Sequence, residues 1–143
     1  MKKRILFLCT RNRCRSQMAE AIINHDLGTA FEAFSAGTNP SEVHPFVPVV
    51  LAEIGIDHAG ARSKHMDEFA DIDFDYVISL CDKANASCPV YFGKTRRTHI
   101  GFDDPDAAEG TDAERLEVFR RVRDEIRHAV EAYLAQSEDA LPE

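Results

Sequence analysis

A thiol, three arginines and a serine lie close together near the start of the chain, in the segment Cys9-Thr10-Arg11-Asn12-Arg13-Cys14-Arg15-Ser16. The segment follows the apolar run 5–8, which is typical of a strand buried on both faces of a parallel sheet, and a helical pattern begins directly after it. Such a strand–loop–helix junction directs loop amides and the positive end of the helix dipole to one point. The spacing therefore predicts an oxyanion-binding loop over residues 10–16, with Cys9 at its floor.

Positive surroundings of this kind would make Cys9 a nucleophile. We expect the pKa of its thiol to fall well below the ordinary value of about 8.5, so that a thiolate forms at neutral pH. Arg15 can grip a tetrahedral oxyanion through two of its N–H groups. The Cys-x5-Arg spacing alone is a weak signal, because the four cysteines give roughly a one-in-four chance of an accidental match. Its place between a strand and a helix favours a site over the alternative, a surface turn of solvated arginines.

Two further cysteines follow a second apolar run. Cys81 comes directly after residues 76–80, a predicted buried strand, so Cys9 and Cys81 are expected at the same edge of a parallel sheet. Cys88 lies seven residues beyond Cys81, and an unbroken helix would put their Cα atoms about 10 Å apart. A disulfide needs about 7 Å or less, so pairing these two cysteines requires the polar segment between them to bend or unwind.

Three other interpretations of the cysteines stay open at this point. Zinc could bind the four thiolates of Cys9, Cys14, Cys81 and Cys88, although their spacings are wider than usual for zinc and nearby arginines would crowd a cation. The thiols could instead be inert and buried, which suits Cys14 best. A static structural disulfide is the third alternative, and a cytosolic location disfavours it.

An acidic residue beside a proline is the candidate proton donor. Asp104 precedes Pro105 within residues 101–110, a stretch that we expect to form a mobile loop. Proline restricts the residue before it to extended conformations. Asp103 is the neighbouring candidate for the acid, and an Asp-Pro turn without any site is the alternative.

The remaining pattern alternates helices and strands. We predict a helix over 16–27 ended by Gly28, a weaker strand over 30–35, a helix from Phe46 that stops at Gly55, and a short edge strand over 98–100. A long amphipathic helix follows, with Thr111 or Asp112 as its N-cap, and residues 137–143 form an acidic tail that we expect to be frayed. This order predicts one α/β domain over residues 1–143, built on a parallel sheet.

Composition narrows the function classes. The 143 residues carry 25 acidic and 17 basic side chains, a formal net charge of −8, which argues against nucleic acid as a partner. We find neither an apolar stretch long enough to cross a membrane nor a signal peptide, so we expect a cytoplasmic protein. Cysteines in a cytoplasmic chain are more often catalytic or metal-binding than structural.

These motifs resemble the low-molecular-weight protein tyrosine phosphatase family, in which Cys-x5-Arg-Ser ends the first strand and Asp-Pro lies far downstream. The string Cys14-Arg15-Ser16-Gln17-Met18-Ala19-Glu20 is closer to the arsenate reductases of that fold. The resemblance continues in order through residues 35–37, 79–81, 101–105 and 118–126. It implies a single-domain, three-layer α/β fold with a four-stranded parallel sheet flanked by helices.

The resemblance also implies an activity, the reduction of arsenate to arsenite in arsenic detoxification. Cys9, Cys81 and Cys88 match the order and spacing of a three-cysteine relay in that branch, and Asp104 matches its acid. Ser16 is expected to hydrogen-bond the Cys9 thiolate, while Asn12 holds the loop shape because Asn tolerates a positive φ. Thioredoxin is the implied reductant, and the resemblance implies a monomer without a cofactor.

Two positions depart from the family pattern. Position 11 is Arg where most members have Gly; some arsenate reductases with Arg there use glutathione with glutaredoxin, which is therefore the alternative reductant. Lys64 stands where some relatives have an acid that binds potassium, so we predict that its ammonium replaces the ion and that the protein holds no metal. The six histidines show no metal-binding spacing, and we interpret them as solvated or satisfied.

Two other functions remain as alternatives. A tyrosine phosphatase would need only Cys9, Arg15 and Asp104, but such enzymes place aromatic residues after Asp-Pro. This chain has Asp106-Ala107-Ala108 there and contains no tryptophan. A noncatalytic oxyanion or metal sensor, with the cysteines as ligands, is the third hypothesis.

Overall fold

The computed structural model describes residues 2–58, 60–80 and 96–139. Cys81 and Cys88 lie outside the described residues, and so does the bend or unwinding predicted between them.

The described part of the chain contains one four-stranded sheet, in which all neighbouring strands are parallel and the order is β2-β1-β3-β4. The strands are β1 (Lys3–Cys9), β2 (Phe31–Gly37), β3 (Tyr76–Ser79) and β4 (Arg96–His99). Leu8 pairs with Ala36 on one side and with Ser79 on the other. The carboxyl end of β1 therefore lies between the ends of β2 and β3, and the predicted parallel α/β sheet is confirmed.

Three α-helices and two 3₁₀ turns complete the described elements. They are α1 (Arg15–Asp26), α2 (Phe46–Ala52), α3 (Asp112–Asp139) and the 3₁₀ turns Met66–Phe69 and Pro105–Ala107. Thr111 caps α3: its hydroxyl accepts from the Glu114 amide, while the Glu114 carboxylate accepts from the Thr111 amide. Helix α3 continues to Asp139, so the first three residues of the tail predicted to be frayed are helical.

The sheet separates two hydrophobic clusters. Alternate residues of β1 point to opposite faces, Ile5 and Phe7 toward one and Leu6 and Leu8 toward the other. The larger cluster packs α1, α2 and α3 on the first face through residues such as Met18, Ile22, Val50, Phe119 and Val122. On the second face the turn Met66–Phe69 packs with Phe34 and Phe74. All four residues of β1 named here are fully buried, which holds the strand end and its following loop in place.

No described helix combines the length and the apolar character needed to span a membrane. The same ranges contain no group of three or more His, Cys, Asp or Glu side chains arranged to hold a metal ion. The four-thiolate alternative includes Cys81 and Cys88 and is not tested by this observation.

Candidate active site

The oxyanion loop, residues 10–16, turns its backbone carbonyls outward. The carbonyls of five consecutive residues, 10 to 14, each accept a hydrogen bond from a donor outside residues 10–16. The pairs are Asn39 N to Thr10 O (2.8 Å), Ser41 N to Arg11 O (3.1 Å), Gln17 Nε2 to Asn12 O (3.1 Å), His44 N to Arg13 O (3.1 Å) and Met18 N to Cys14 O (3.0 Å). A planar trans peptide points its N–H opposite to its C=O. The amides of residues 11–15 therefore point into the loop, where they can bind an anion.

Asn12 holds the loop from within. Its φ of 50° lies in the left-handed region, as the sequence predicts for this residue. The buried side chain donates from Nδ2 to the Ser16 hydroxyl at 2.7 Å, and its Oδ1 accepts from Gln17 Nε2 at 2.9 Å and from the Lys64 amide at 2.8 Å. The loop shape is thus set by the protein before any anion binds.

Gly37 at the end of β2 is a requirement that sequence reasoning missed, although it lies within a segment that carries the resemblance. A Cβ at this position would lie 2.6 Å from the Thr10 carbonyl oxygen and 2.9 Å from the Asn12 amide nitrogen. Those contacts are shorter than any side chain tolerates. Only glycine lets the loop backbone pass this close to β2.

The two cysteines of the loop region have different surroundings. Cys9 ends β1 and is only 3% exposed, at the base of the loop. The Cys14 side chain belongs to the larger hydrophobic cluster, and burial raises the pKa of its thiol. Cys14 therefore matches the inert, buried thiol that was one of the alternatives, and its contribution to the loop is its backbone. The Ser16 hydroxyl accepts from Asn12, which leaves its own hydrogen to donate elsewhere.

Arg15 joins the oxyanion loop to the acid loop, residues 101–110. Its Nη1 donates to the Phe102 carbonyl at 3.0 Å, and its Nη2 lies 3.8 Å from Asp104 Oδ2. Its Nε is buried and has no hydrogen-bond partner among the described residues. A buried donor without a partner is costly in a folded protein, so this atom points to a missing acceptor.

The structure separates the two neighbouring carboxylates of the acid loop. Asp104 is extended (φ −81°, ψ 107°), as its position before Pro105 predicts, and it faces Arg15. Asp103 is 74% exposed and pairs instead with Arg121 of α3 at 3.2 Å. Only Asp104 of the two lies beside the oxyanion loop.

The three arginines of the loop have separate surroundings. Arg11 is exposed. Arg13 turns to the acid loop, where its Nε donates to Asp106 Oδ2 at 2.8 Å, and its Nη1 donates to the Glu42 carbonyl at 3.1 Å. The sequence placed all three cations in one cluster, but the Arg13 guanidinium is already engaged by Asp106.

A lysine lies beneath the loop, at the position that the sequence singled out. Lys64 Nζ donates to the Arg62 carbonyl at 2.9 Å and lies 3.8 Å from Glu20 Oε1, and Ser35 Oγ donates to the same carboxylate at 3.2 Å. Burial lowers the pKa of Lys64 and raises that of Glu20. The ammonium is thus held against the mostly buried Glu20 carboxylate, close to Asn12.

His44 is a satisfied histidine, as expected, but its contact with the acid loop was not foreseen. It is buried, its Nδ1 accepts from the Phe46 amide at 3.0 Å, and its Nε2 lies 3.4 Å from Asp106 Oδ1. Burial, followed by the nearby Arg13 charge, lowers the pKa of His44. No local sequence signal links His44 to Asp106, since 62 positions separate them (106 − 44).

The carboxyl end of β3 meets this site from the side. Leu80 donates its amide to the Leu8 carbonyl at 2.8 Å, directly before Cys9. The described chain stops at Leu80 and resumes at Arg96, so the predicted approach of Cys81 to Cys9 stays a prediction.

Comparison with known proteins gives a consistent picture. A family model described as low molecular weight phosphotyrosine protein phosphatase matches residues 4–141. An arsenate reductase of Halalkalibacterium halodurans is 44% identical over 132 residues, which cover 92% of this chain and 95% of the relative.

Solved structures agree with the sequence relatives. One described as an arsenate reductase in the phosphate binding state has a TM-score of 0.73 and 35% identity, and the match covers 94% of this chain and 98% of the other. The Corynebacterium glutamicum thioredoxin-dependent arsenate reductase has a TM-score of 0.70 and 26% identity over 94% of this chain and 63% of its own. The chain therefore belongs to the low molecular weight phosphotyrosine protein phosphatase family.

Proposed function

We propose that this protein is an oxidoreductase that reduces arsenate to arsenite. The observation that carries the proposal is the buried Arg15 Nε, a donor without a partner in the described structure, beside a loop whose inward amides can also donate to an anion. A tetrahedral oxyanion would satisfy both sets of donors at once. The arsenate reductase relative with 44% identity favours arsenate as that oxyanion.

The first step uses the residues of the two loops. The Cys9 thiolate attacks arsenic and forms a sulfur–arsenic bond while Arg15 and the loop amides hold the charged oxygens. Asp104 gives its proton to the departing hydroxide, which leaves as water. The position of Asp104 beside Arg15 supports this role, because the leaving oxygen must lie within reach of both groups.

The second and third steps transfer electrons through sulfur. The Cys81 thiolate attacks the Cys9 sulfur, and the electron pair of the sulfur–arsenic bond passes to arsenic, so that arsenate is released as arsenite. The resulting Cys9–Cys81 disulfide is then attacked by the Cys88 thiolate, which frees Cys9 and forms a Cys81–Cys88 disulfide. Two thiols lose two electrons and arsenic gains two, so the sequence balances.

An external dithiol must then reduce the Cys81–Cys88 disulfide. We propose thioredoxin for this step, supported by a structural neighbour described as thioredoxin-dependent. Glutathione with glutaredoxin is the alternative that Arg11 suggests. The reaction would run in the cytoplasm on a single-domain monomer, without a cofactor or a metal.

The test combines single and multiple turnovers. Without reductant, the wild type should release one arsenite per chain and lose two thiols. With thioredoxin, thioredoxin reductase and NADPH it should turn over continuously, and only when arsenate is present. Cys88→Ser should still release one arsenite per chain but should not consume NADPH continuously, whereas Cys9→Ser and Cys81→Ser should release none.

Each failure has its own meaning. Continuous turnover by Cys88→Ser would exclude the proposed relay. Turnover with glutathione and glutaredoxin but not with thioredoxin would change the reductant only. No arsenite under either condition, together with hydrolysis of aryl phosphates, would identify a phosphatase that uses Cys9, Arg15 and Asp104. No turnover of either substrate, with stoichiometric metal bound on isolation, would favour the sensor.

A further inference from the structure

Three side chains from distant parts of the sequence meet where the acid loop contacts the oxyanion loop; we name them the Asp106 clamp: Asp106, Arg13 and His44. One carboxylate oxygen of Asp106 accepts from Arg13 at 2.8 Å, and the other lies 3.4 Å from His44 Nε2. The Asp106 side chain is 24% exposed and that of Arg13 is 20% exposed, so water screens this pair only partly.

His44 is a rigid part of the clamp. Its ring packs against the rings of Phe46 and Phe119, with centroids 4.9 and 4.7 Å away. Because Nδ1 accepts the Phe46 amide hydrogen, the neutral ring carries its own hydrogen on Nε2, the atom that faces Asp106. The His44 amide also donates to the Arg13 carbonyl, so the histidine is bound to both other members of the clamp.

One backbone hydrogen bond links the Asp106 clamp to Asp104, the proposed proton donor. Asp106 donates its N–H to Asp104 Oδ1 at 3.0 Å. That bond leaves Asp104 Oδ2 as the oxygen nearer to Arg15, at 3.8 Å from Nη2. The side chain of Asp106 therefore holds the short 3₁₀ turn Pro105–Ala107, and the turn in turn orients the carboxylate of Asp104.

From this geometry we infer that Asp106 is a positioning residue for Asp104, held by Arg13 and His44, and that it keeps the acid loop closed over the oxyanion loop. The inference rests on the proposed function, because it assigns Asp104 the role of proton donor. It also explains why the loop has an arginine at position 13: that guanidinium binds Asp106 instead of the substrate oxyanion.

Kinetics of clamp variants test the inference. Asp106→Ala should lower kcat for arsenate about 10- to 100-fold, the size expected for a misplaced catalytic group, and should leave KM within about twofold because the oxyanion donors are intact. Asp106→Asn should recover part of the loss, since its amide oxygen still accepts from Arg13. Glu109→Gln, which changes an exposed carboxylate of the same loop, is the matched control and should behave as wild type.

A double-mutant cycle separates the clamp from independent effects. Arg13→Gln alone should also lower kcat, and Asp106→Ala combined with Arg13→Gln should be no slower than the worse single variant. Losses that multiply in the double variant would overturn the inference. So would an unchanged kcat in Asp106→Ala, or a loss confined to KM.

Two measurements keep this outcome apart from the fate of the proposed function. Wild-type turnover of arsenate tests the function, and the ratio of variant to wild type tests the clamp. If arsenate is not reduced but esters are hydrolysed, Asp106→Ala should lose more activity on phenyl phosphate than on p-nitrophenyl phosphate, because the poorer leaving group depends more on the acid.

Deuterium exchange gives a readout that needs no substrate and that also reports on folding. Peptides covering residues 101–110 should exchange faster in Asp106→Ala than in wild type, while peptides covering residues 9–16 should not change. Equal exchange over residues 101–110 would overturn the inference. If the alanine variant does not fold, the same comparison with Asp106→Asn decides the question.

Discussion

The oxyanion loop and the acid loop face each other across one site but are held in different ways. Backbone carbonyls of the oxyanion loop are bonded to donors from several elements, and Asn12 braces the loop from inside. The acid loop has one backbone bond to the end of β3, from Phe102 N to Leu80 O, and its other backbone bonds lie within its own turn. Charged side chains make further links to the rest of the protein, Arg13 to Asp106 and Arg121 to Asp103.

The difference matches what each loop has to do. An anion-binding cradle stabilises charge best when its donors are oriented before the substrate arrives, because no reorganisation is then needed. The proposed proton donor, Asp104, would have to let the substrate enter and the product leave, and contacts between side chains suit that role because they can break and re-form. The oxyanion loop is therefore preorganised, whereas the acid loop is held mainly by side-chain contacts.

The largest effect is expected in the acid loop, at Asp104 itself. Asp104→Asn should lower kcat about 10²- to 10³-fold, because the amide cannot donate the proton, while the melting temperature stays nearly unchanged. Steady-state kinetics and a thermal melt measure both. Asp103→Asn is the control: its partner Arg121 is exposed, so kcat should not change. If Asp103→Asn lowered kcat as much as Asp104→Asn, Asp104 would not be the specific proton donor.

Removing the Asn12 side chain should affect the oxyanion loop and not the acid loop. Asn12→Ala leaves the Lys64 amide and the Ser16 hydroxyl without their partner and forces alanine into a positive φ. We expect the free energy of unfolding to fall by about 2–4 kcal/mol. Chemical denaturation measures this loss.

Asn12→Gly is the matched variant for that measurement. Glycine adopts the φ of 50° without strain but lacks the side chain, so it should be more stable than Asn12→Ala by about 1 kcal/mol. Equal stability of the two variants would mean that backbone strain plays no part at this position. Wild-type stability in both would contradict the bracing role of the side chain.

A smaller change is expected where β2 meets the loop. Gly37→Ala pushes a methyl group against the Thr10 carbonyl, and overpacking of this kind costs about 1–3 kcal/mol. The displaced loop should also bind phosphate more weakly, which the phosphate-induced rise in melting temperature reports. Gly55→Ala is the control, because its φ of 80° strains alanine although no described atom lies within 4 Å of its added Cβ. It should lose stability but keep the phosphate effect; an equal loss of phosphate binding in both variants would contradict a local role for Gly37.

The smallest effect, none at all, is expected from exchanging potassium for sodium. The Lys64 ammonium already lies against Glu20 beneath the loop, so a monovalent cation should add nothing. Melting temperatures in the two salts should coincide for the wild type. Lys64→Asp puts a second carboxylate beside Glu20 and should become more stable in potassium. A potassium-specific rise in the wild type would show that the lysine does not replace an ion.

The local sequence pattern was sufficient to predict the elements that position the oxyanion loop. The apolar run before Cys9, the helical spacing after Ser16 and the tolerance of Asn12 for positive φ are properties of neighbouring residues, and the structure confirms the strand, the helix and the φ. Short edge elements were less accurate: β4 begins at Arg96, two residues before the predicted strand, because its two arginines mask a β pattern.

What local pattern could not supply was the direction of side chains toward distant partners. Its charge alone predicted that Arg13 binds the oxyanion, but its guanidinium instead donates to Asp106, which lies 93 positions away in the sequence. The family resemblance favoured Asp104 over Asp103 as the acid, but the separate partners of the two carboxylates depend on where α3 and Arg15 lie relative to the acid loop.

Sequence reasoning was enough to name the residues of the proposed chemistry: a thiol and an arginine at the ends of a predicted anion-binding loop, and an Asp-Pro far downstream. Only the tertiary structure showed that Arg13 turns to Asp106, that Asp103 turns away to Arg121 and why residue 37 is glycine. The reason is physical. Backbone conformation and hydrophobic periodicity arise between neighbours in the chain, whereas ion pairs and close backbone contacts exist only after the sheet has brought distant segments together.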